Sequence, residues 1–245
     1  MFTPIGFFAP SGFAFGGVTD GLKFSLEAEA GSTFQDTSGN GITFTQSGTS
    51  NGGITHAVSG TGSFWFFNKS TTFDTNYVAS TYVPASALNT FSYCAIVRWE
   101  TPPPGNTNQG PMFEASDAGQ EDLWMEYNPA TANNIKQTLG LNANYPEFEY
   151  NTGANARYKW WMISGTASGT TFKFYINGTE VYSQAFSQGI NVSNGMSIHR
   201  WPASLRGSSQ ANQMTMGAFT WYNKGLSAGE ISTNYAYFQT FYTGL

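Results

Sequence analysis

Hydrophobic and polar residues alternate along much of the chain, and this period-two pattern predicts half-buried β-strands. Residues 22–27 follow it as Leu-Lys-Phe-Ser-Leu-Glu, and residues 91–100 form the longest such segment. The longest segment ends before three consecutive prolines, which cannot continue a hydrogen-bonded ladder, so residues 101–110 are predicted to form a loop. Further strands are predicted over residues 63–67, 76–83, 122–127, 137–142, 159–164 and 213–222.

Glycine and asparagine mark two tight turns between the predicted strands. Asn177-Gly178 separates two alternating segments, residues 171–176 and 179–182. An Asn-Gly pair in this position is the preferred sequence of a type I′ hairpin turn. Residues 39–41 are Gly-Asn-Gly, and because these residues tolerate positive φ they predict a second sharp turn.

One helix is predicted near the C-terminus. Ser227 and Glu230 have the spacing of a capping box, in which each side chain bonds to the other residue's backbone N–H. Ile231, Tyr235 and Phe238 then fall on one face at helical spacing. We expect this helix to close an end or an edge of the strand assembly.

Together these elements predict an all-β fold, a two-sheet antiparallel jelly-roll sandwich with one short C-terminal helix. The chain has 245 residues, which suits one large sandwich over residues 17–245, and no long linker or internal repeat divides it. Cys94 is the single cysteine, so no internal disulfide forms and packing alone holds the fold. We expect Cys94 to be a buried and chemically inert strand residue.

Residues 1–16 form a separate apolar tract that has neither helical nor strand periodicity. Leaving its phenylalanines in water costs about 1.5–3 kcal/mol each, so these rings need a partner surface. We predict that the tract is an arm that docks on another protein, and the alternative is that it folds back over an open face of the sandwich. The predicted docking residues are Phe2, Phe7, Phe8, Phe13 and Phe15.

Composition narrows the classes of partner. Charged residues are 10% of the chain and the net charge is −5, without a Lys/Arg patch, so we expect no nucleic-acid partner. The sequence contains no run of 18 apolar residues, so no membrane span is predicted. The N-terminus lacks the basic start of a secretory signal. A weakly charged surface favours a protein that is part of a larger assembly, although β-sandwiches also use neutral polar residues heavily.

Several segments resemble a known domain family in order and spacing. Residues 17–28 (Gly-Val-Thr-Asp-Gly-Leu-Lys-Phe-Ser-Leu-Glu-Ala) and 34–42 (Phe-Gln-Asp-Thr-Ser-Gly-Asn-Gly-Ile) resemble the opening of concanavalin A-like, laminin-G-like jelly-roll domains of phage virion structural proteins. Residues 219–235 are similar to the closing strand and helix of that family. Glu27 departs from the family pattern, which has Asp there. The resemblance extends over residues 17–240 and includes residues 51–54, 90–99, 159–162 and 174–181.

The resemblance implies a non-enzymatic structural protein of a phage particle, either a capsid decoration protein or a fibre component. Its partners would be other virion proteins, with several copies or a homo-oligomer in the particle, and its location would be the virion. Contact with host-surface glycans is a further expectation. The alternatives are a free carbohydrate-binding lectin and, less favoured, a glycoside hydrolase of the same fold, because one fold hosts many functions.

The sequence speaks against hydrolase chemistry. Glucanases of this fold carry three alternating acidic residues on one strand, whereas here Trp124 stands between Asp122 and Glu126. Retaining hydrolysis needs two carboxyl groups about 5–5.5 Å apart. Residues four apart on a strand have Cα atoms about 13 Å apart. We therefore predict that the protein is not an enzyme.

No metal or cofactor site is predicted either. The sequence has two histidines, His56 and His199, and neither has a partner pattern, so each is expected in a turn or at the surface. The conceivable calcium ligands do not form the dense acidic loop that calcium sites use. These ligands are Asp36, Asp74, Asp117 and Asp122.

Tryptophan side chains that leave the core are the candidates for sugar binding, since aromatic rings stack on the faces of sugars. Trp160 and Trp161 are adjacent, so on a strand they point to opposite faces and one of them leaves the sandwich core. Trp201 follows His199 in a predicted loop. We predict Trp201, Trp160 and Trp161 as glycan-contacting residues.

Overall fold

A computed structural model of the chain describes most of the predicted domain. It covers residues 14–48, 53–68, 76–99, 110–117, 120–128, 134–139, 147–151, 158–186, 189–190, 192, 195–200 and 214–245. The strands are β1 (Leu22–Glu27), β2 (Phe44–Ser47), β3 (Ile54–Ser59), β4 (Gly62–Phe67), β5 (Tyr77–Ser80), β6 (Thr90–Trp99), β7 (Gly110–Asp117), β8 (Gln120–Asn128), β9 (Asn134–Leu139), β10 (Glu147–Asn151), β11 (Trp161–Ser168), β12 (Thr171–Ile176), β13 (Thr179–Ala185), β14 (Met196–Ile198) and β15 (Met214–Tyr222). A 3₁₀ turn, Ala28–Ala30, follows β1, and helix α1 is Ala228–Gln239.

The strands form two antiparallel sheets, which confirms the predicted fold class. The first sheet has the order β13-β12-β11-β6-β15-β4-β3, and β1 also pairs with β15. The second sheet has the order β10-β9-β8-β7-β14-β5-β2. In the described part of the chain, no helix is long and apolar enough to cross a membrane.

The last strand, β15, pairs with strands from the beginning of the chain. Its first residues, Met214–Met216, pair with β4, and Ala218–Tyr222 pair with β1. The register shifts between Met216 and Ala218, so Gly217 lies at a bulge. A Cβ atom on Gly217 would lie 2.4 Å from the ring of Tyr242, so only glycine lets the chain end pack against the sheet here.

The core between the sheets is formed by every second side chain along the strands. On β6, the residues Phe91, Tyr93, Ala95, Val97 and Trp99 are all buried and belong to the cluster between the sheets. Phe91 stacks on Trp221 of β15, with ring centroids 5.2 Å apart. Such burial of large aromatic rings contributes about 1.5–3 kcal/mol for each side chain.

The opposite face of the first sheet is covered by a third layer, built from α1 and the segment that precedes β1. Cys94 and Ile96 of β6 pack here against Ile231 and Phe238 of the helix. Cys94 is fully buried, as predicted, and burial raises the pKa of its thiol. The protein is therefore a sandwich with a helical third layer on one side.

The predicted hairpin turn and the predicted helix cap are both confirmed in detail. Asn177 and Gly178 have φ values of 49° and 77°, which are the two positive φ values that a type I′ turn requires. The side chain of Ser227 accepts a hydrogen bond from the backbone N–H of Glu230, and the carboxylate of Glu230 accepts one from the N–H of Ser227. The capping box therefore sets the start of α1.

Candidate functional site

Phe15, which the sequence assigns to a docking arm, packs into the domain itself. Its residue is 6% exposed, and its ring centroid lies 5.1 Å from that of Tyr237 and 6.0 Å from that of Phe238. The docking role predicted for Phe15 is therefore wrong, because this ring completes the helical layer. The other predicted docking residues, Phe2, Phe7, Phe8 and Phe13, lie outside the described residues.

The two adjacent tryptophans do point to opposite faces, but neither is a simple exposed platform. Trp161 is half-buried and packs against the core between the sheets. Trp160 lies on the outer face and is only 3% exposed, because Tyr242 and the guanidinium of Arg98 cover its ring at 4.9 and 5.1 Å. The predicted glycan contact of Trp160 is therefore wrong, whereas that of Trp161 stays a prediction.

The carboxylate of Asp36 holds a turn of the fold in place. It accepts hydrogen bonds from the backbone N–H groups of Ser25, Ser38 and Ile42 at 2.9–3.1 Å. These bonds close the Gly-Asn-Gly turn against β1. Among the described residues, no group of three or more His, Cys, Asp or Glu side chains could hold a metal ion. Asp74 lies outside the described residues, and Asp117 and Asp122 are described by their backbones alone.

Both histidines bond to backbone carbonyl groups. The Nε2 atom of His56 lies 2.9 Å from the carbonyl oxygen of Ala28, and the Nδ1 atom of His199 lies 2.7 Å from that of Asn76. His199 lies in a bend at the end of β14, in keeping with the predicted turn, but it is 2% exposed and is therefore not a surface residue. Its φ of 60° is a backbone conformation that non-glycine residues rarely adopt.

A charged cluster follows His199 at the end of β14. The guanidinium of Arg200 lies 4.4 Å from the ring centroid of Tyr77, and its Nε atom lies 3.8 Å from Oε1 of Glu114. Glu114 is 2% exposed, so this ion pair is largely shielded from solvent on its acidic side. Trp201 lies outside the described residues, and its predicted sugar contact stays a prediction.

The described residues also form an open groove on the outer face of the first sheet, beside the start of α1. Its volume is about 360 Å³. Strands β11 and β12 provide the floor, and the segment that leads into the helix provides the opposite wall. The lining residues are Thr166, Ser168, Lys173, Tyr175, Gly225, Leu226, Ser227 and Ala228.

Buried hydroxyl groups fix the wall of this groove to its floor. The hydroxyl of Ser92 donates to the carbonyl oxygen of Lys224 at 2.7 Å and accepts from the backbone N–H of Leu226 at 2.8 Å. Thr166 donates to the carbonyl oxygen of Leu226 at 3.2 Å. Gly225 lets the chain approach closely, since a Cβ atom there would lie 2.7 Å from the carbonyl oxygen of Ala167. The groove is therefore held in shape without a ligand.

A hydrogen-bonded trio of charged and phenolic groups borders the groove. The ammonium of Lys173 donates to Oε2 of Glu180 at 2.9 Å, and the hydroxyl of Tyr175 lies 3.3 Å from the same oxygen. Glu180 raises the pKa of Lys173, so the ammonium stays charged at neutral pH. The side chains of Lys173 and Glu180 are 42% and 38% exposed, so both remain accessible to a ligand.

A second set of charges lies behind the wall of the groove. The ammonium of Lys224 lies 2.6 Å from Oδ2 of Asp20 and 2.6 Å from Oε1 of Glu230. These contacts raise the pKa of Lys224, and the contact with Lys224 lowers the pKa of Glu230. Lys224 and Glu230 are therefore ionised at neutral pH.

Sequence reasoning missed this groove. Lys173 and Tyr175 alternate with the buried Phe172 and Phe174, so their shared outward face could have been predicted. Their contact with Glu180 depends on a register shift between Phe174 and Tyr175. No local sequence pattern predicts that register shift.

Comparisons with known proteins identify the fold. No protein-family model matches the sequence, and no curated protein matches it. Among solved structures, the receptor-binding domain of botulinum neurotoxin type G matches with a TM-score of 0.64 and 19% identity, over 88% of this chain and 51% of that one. The binding domain of botulinum neurotoxin DC in complex with SialylT gives 0.68 and 17%, over 89% and 51%.

A third match is a structure of botulinum neurotoxin type C, whose cell entry is dependent upon interaction with two ganglioside molecules. Its TM-score is 0.66 at 17% identity, over 89% of this chain and 51% of that one. The chain thus spans about half the length of these structures. At these identities the likeness shows the fold alone: this chain has the β-sandwich fold of those binding domains.

Proposed function

We propose that the protein is a non-enzymatic glycan-binding module, and that the groove beside the start of α1 is its binding site. The observation that carries the proposal is the pairing of a donor and an acceptor, Lys173 and Glu180, at the edge of a preformed groove. A ligand site with these properties loses little conformational entropy when it binds.

The chemistry of the groove suits a sugar. A volume of about 360 Å³ is at the lower end of the range of roughly 300–1,000 Å³ that small-molecule sites occupy. Its lining combines hydroxyl groups with the apolar surface of Leu226 and Ala228. A monosaccharide has the same mixture of hydroxyl edges and apolar faces.

Binding fits these groups better than bond cleavage does. Hydrolysis of a glycosidic bond uses two carboxyl groups that flank it. In the described part of the chain, Glu180 contacts the groove lining at Lys173, and Glu230 contacts it at Ser227. Glu230 and the nearby Asp20 also bond to Lys224, so each of these carboxylates already has a partner within the protein. The fold likeness to binding domains, one of them solved with SialylT, supports the same proposal.

A glycan array probed with the full-length chain tests this function. We expect the protein to bind a defined subset of the arrayed glycans and to release no reducing ends from them on prolonged incubation. Binding to none of the glycans would sink the proposed function. Hydrolysis of a bound glycan would favour the glycoside hydrolase alternative instead.

We further propose that this module works as a structural component of a phage particle. The support is the resemblance of its opening and closing segments to virion proteins, together with its low content of charged residues. Gel filtration and mass spectrometry of purified particles separate this from a free lectin. A virion component should be found in the particles, whereas a free lectin should be absent from them and soluble alone.

A further inference from the structure

We infer that the groove recognises neutral glycans, through two adjacent hydroxyl groups, and discriminates against sialylated ones. This inference rests on the proposed function and specifies the ligand class of the same site. It departs from what the fold likeness to a domain solved with SialylT would suggest.

The cation at the groove edge already has a partner. The ammonium of Lys173 is 2.9 Å from Oε2 of Glu180, so its charge is already neutralised by a partner within the protein. An incoming carboxylate would have to displace Glu180 or bind beside it. Like charges in contact repel each other, and the cost is only partly screened at an exposed site.

Carboxylates outnumber ammonium groups around the groove. Lys224 lies against Asp20 and Glu230, so this second cation faces two carboxylates. The two clusters of ion-paired side chains, one around Lys173 and one around Lys224, together contain two ammonium groups and three carboxylates. The field around the groove is therefore weakly negative, and it disfavours an anionic ligand.

The ion pair at the groove edge matches two adjacent hydroxyl groups of a sugar. Lys173 and Tyr175 both contact Oε2 of Glu180, and the side chain of Glu180 is 38% exposed, so its carboxylate can offer Oε1 to a ligand. One sugar hydroxyl donates to the carboxylate while its neighbour accepts from the ammonium. Hydrogen bonds to charged groups are about twice as strong as those between neutral groups, so a neutral diol gains two strong bonds and leaves the ion pair intact.

The test compares neutral oligosaccharides with their sialylated forms in titrations of the full-length chain. We expect wild-type protein to bind the neutral member of each pair more tightly, by at least about fivefold. Glu180→Gln keeps the size of the side chain and leaves Lys173 as an uncompensated cation. In this variant we expect the ratio of affinities to shift towards the sialylated members by a similar factor.

Glu149→Gln is the matched control, because it makes the same charge change at an exposed residue of β10 in the second sheet. We expect it to leave the ratio unchanged, and thermal melts should show all three proteins folded. A wild-type preference for sialylated members, or a ratio that Glu180→Gln does not shift, would overturn the inference while leaving glycan binding in place. Absence of binding to either class would overturn the proposed function itself.

Discussion

At the scale of single residues, Glu27 shows how the fold accommodates a buried carboxylate. It is 2% exposed, and its oxygens accept hydrogen bonds from Ser25, Thr37 and Tyr237 at 2.6–3.0 Å. Burial raises its pKa above the ordinary value, and these hydroxyl groups offset the rise only in part. The bond to Tyr237 ties β1 to α1, so Glu27 is a structural contact between layers.

This raised pKa predicts a pH dependence of stability. The folded state holds the Glu27 proton more tightly than the unfolded state does, so its contribution to the free energy of unfolding is greatest below the unfolded pKa. The contribution is lost as pH rises through the folded pKa. Urea titrations of wild type and Glu27→Gln from pH 4 to pH 8 measure this. We expect wild type to lose stability relative to the variant as pH rises, and a constant difference would contradict the assignment.

Asn234 illustrates a residue whose role no local pattern reveals. It is fully buried in α1, where Oδ1 accepts from the backbone N–H of Val18 at 2.8 Å. Its Nδ2 atom donates to the hydroxyl of Tyr222 at 3.0 Å. A polar residue at this helical position gives no signal in a hydrophobic pattern, because its partners come from both ends of the chain.

At the scale of elements, alternation predicted strands such as β1, β6 and β12, whereas β2, β3, β7, β10 and β14 were not predicted. The longest, β6, was predicted to within a residue at each end, since every second side chain enters the core. The three-residue β14 is too short for a pattern to be recognised. The pairing of β1 with β15 was also hidden, because its register depends on residues about 200 positions apart.

The candidate site was harder to predict than the strands. Trp160 does leave the sandwich core, as alternation requires, but the end of the chain covers the outer face there. Sequence reasoning treats the second face of a sheet as solvent-exposed. In this protein the helical layer covers the outer face of the first sheet, so Trp160 and Phe15 are both buried.

The capping box of α1 gives a prediction for the helix. Ser227→Ala removes the side-chain acceptor of the Glu230 N–H, and we expect the free energy of unfolding to fall by about 1 kcal/mol. Ser232→Ala, at an exposed interior position of the same helix, is the matched control, and we expect it to be neutral or slightly stabilising. Equal effects of the two substitutions in chemical denaturation would mean that the cap contributes nothing.

At the scale of the whole molecule, the packed domain reaches further towards the N-terminus than its predicted boundary at residue 17. Phe15 and the backbone of Val18 are both anchored to α1. The docking-arm prediction is therefore kept for residues 1–13 alone. Deleting these residues is the corresponding test, because it keeps Phe15 and Val18 and their contacts with α1.

For an arm that docks on a neighbouring virion protein, this deletion should preserve the melting temperature and abolish attachment to particles. Phe15→Ala is the contrasting variant, and we expect it to reduce the free energy of unfolding by about 3 kcal/mol through loss of a buried ring. A deletion that lowers the melting temperature would favour the alternative, in which the tract folds back over the sandwich. Normal attachment of the truncated protein would contradict the docking role.

The central claim is that glycans bind in the groove beside the start of α1, and blocking the groove tests it most directly. Ser168→Trp adds a large ring at an exposed position of the groove lining. Thr55→Trp adds the same ring at an exposed position of β3, at the opposite edge of the same sheet. In calorimetric titrations with a glycan that wild type binds, we expect Ser168→Trp to abolish binding and Thr55→Trp to leave it unchanged. Wild-type affinity in a folded Ser168→Trp variant would contradict the claim.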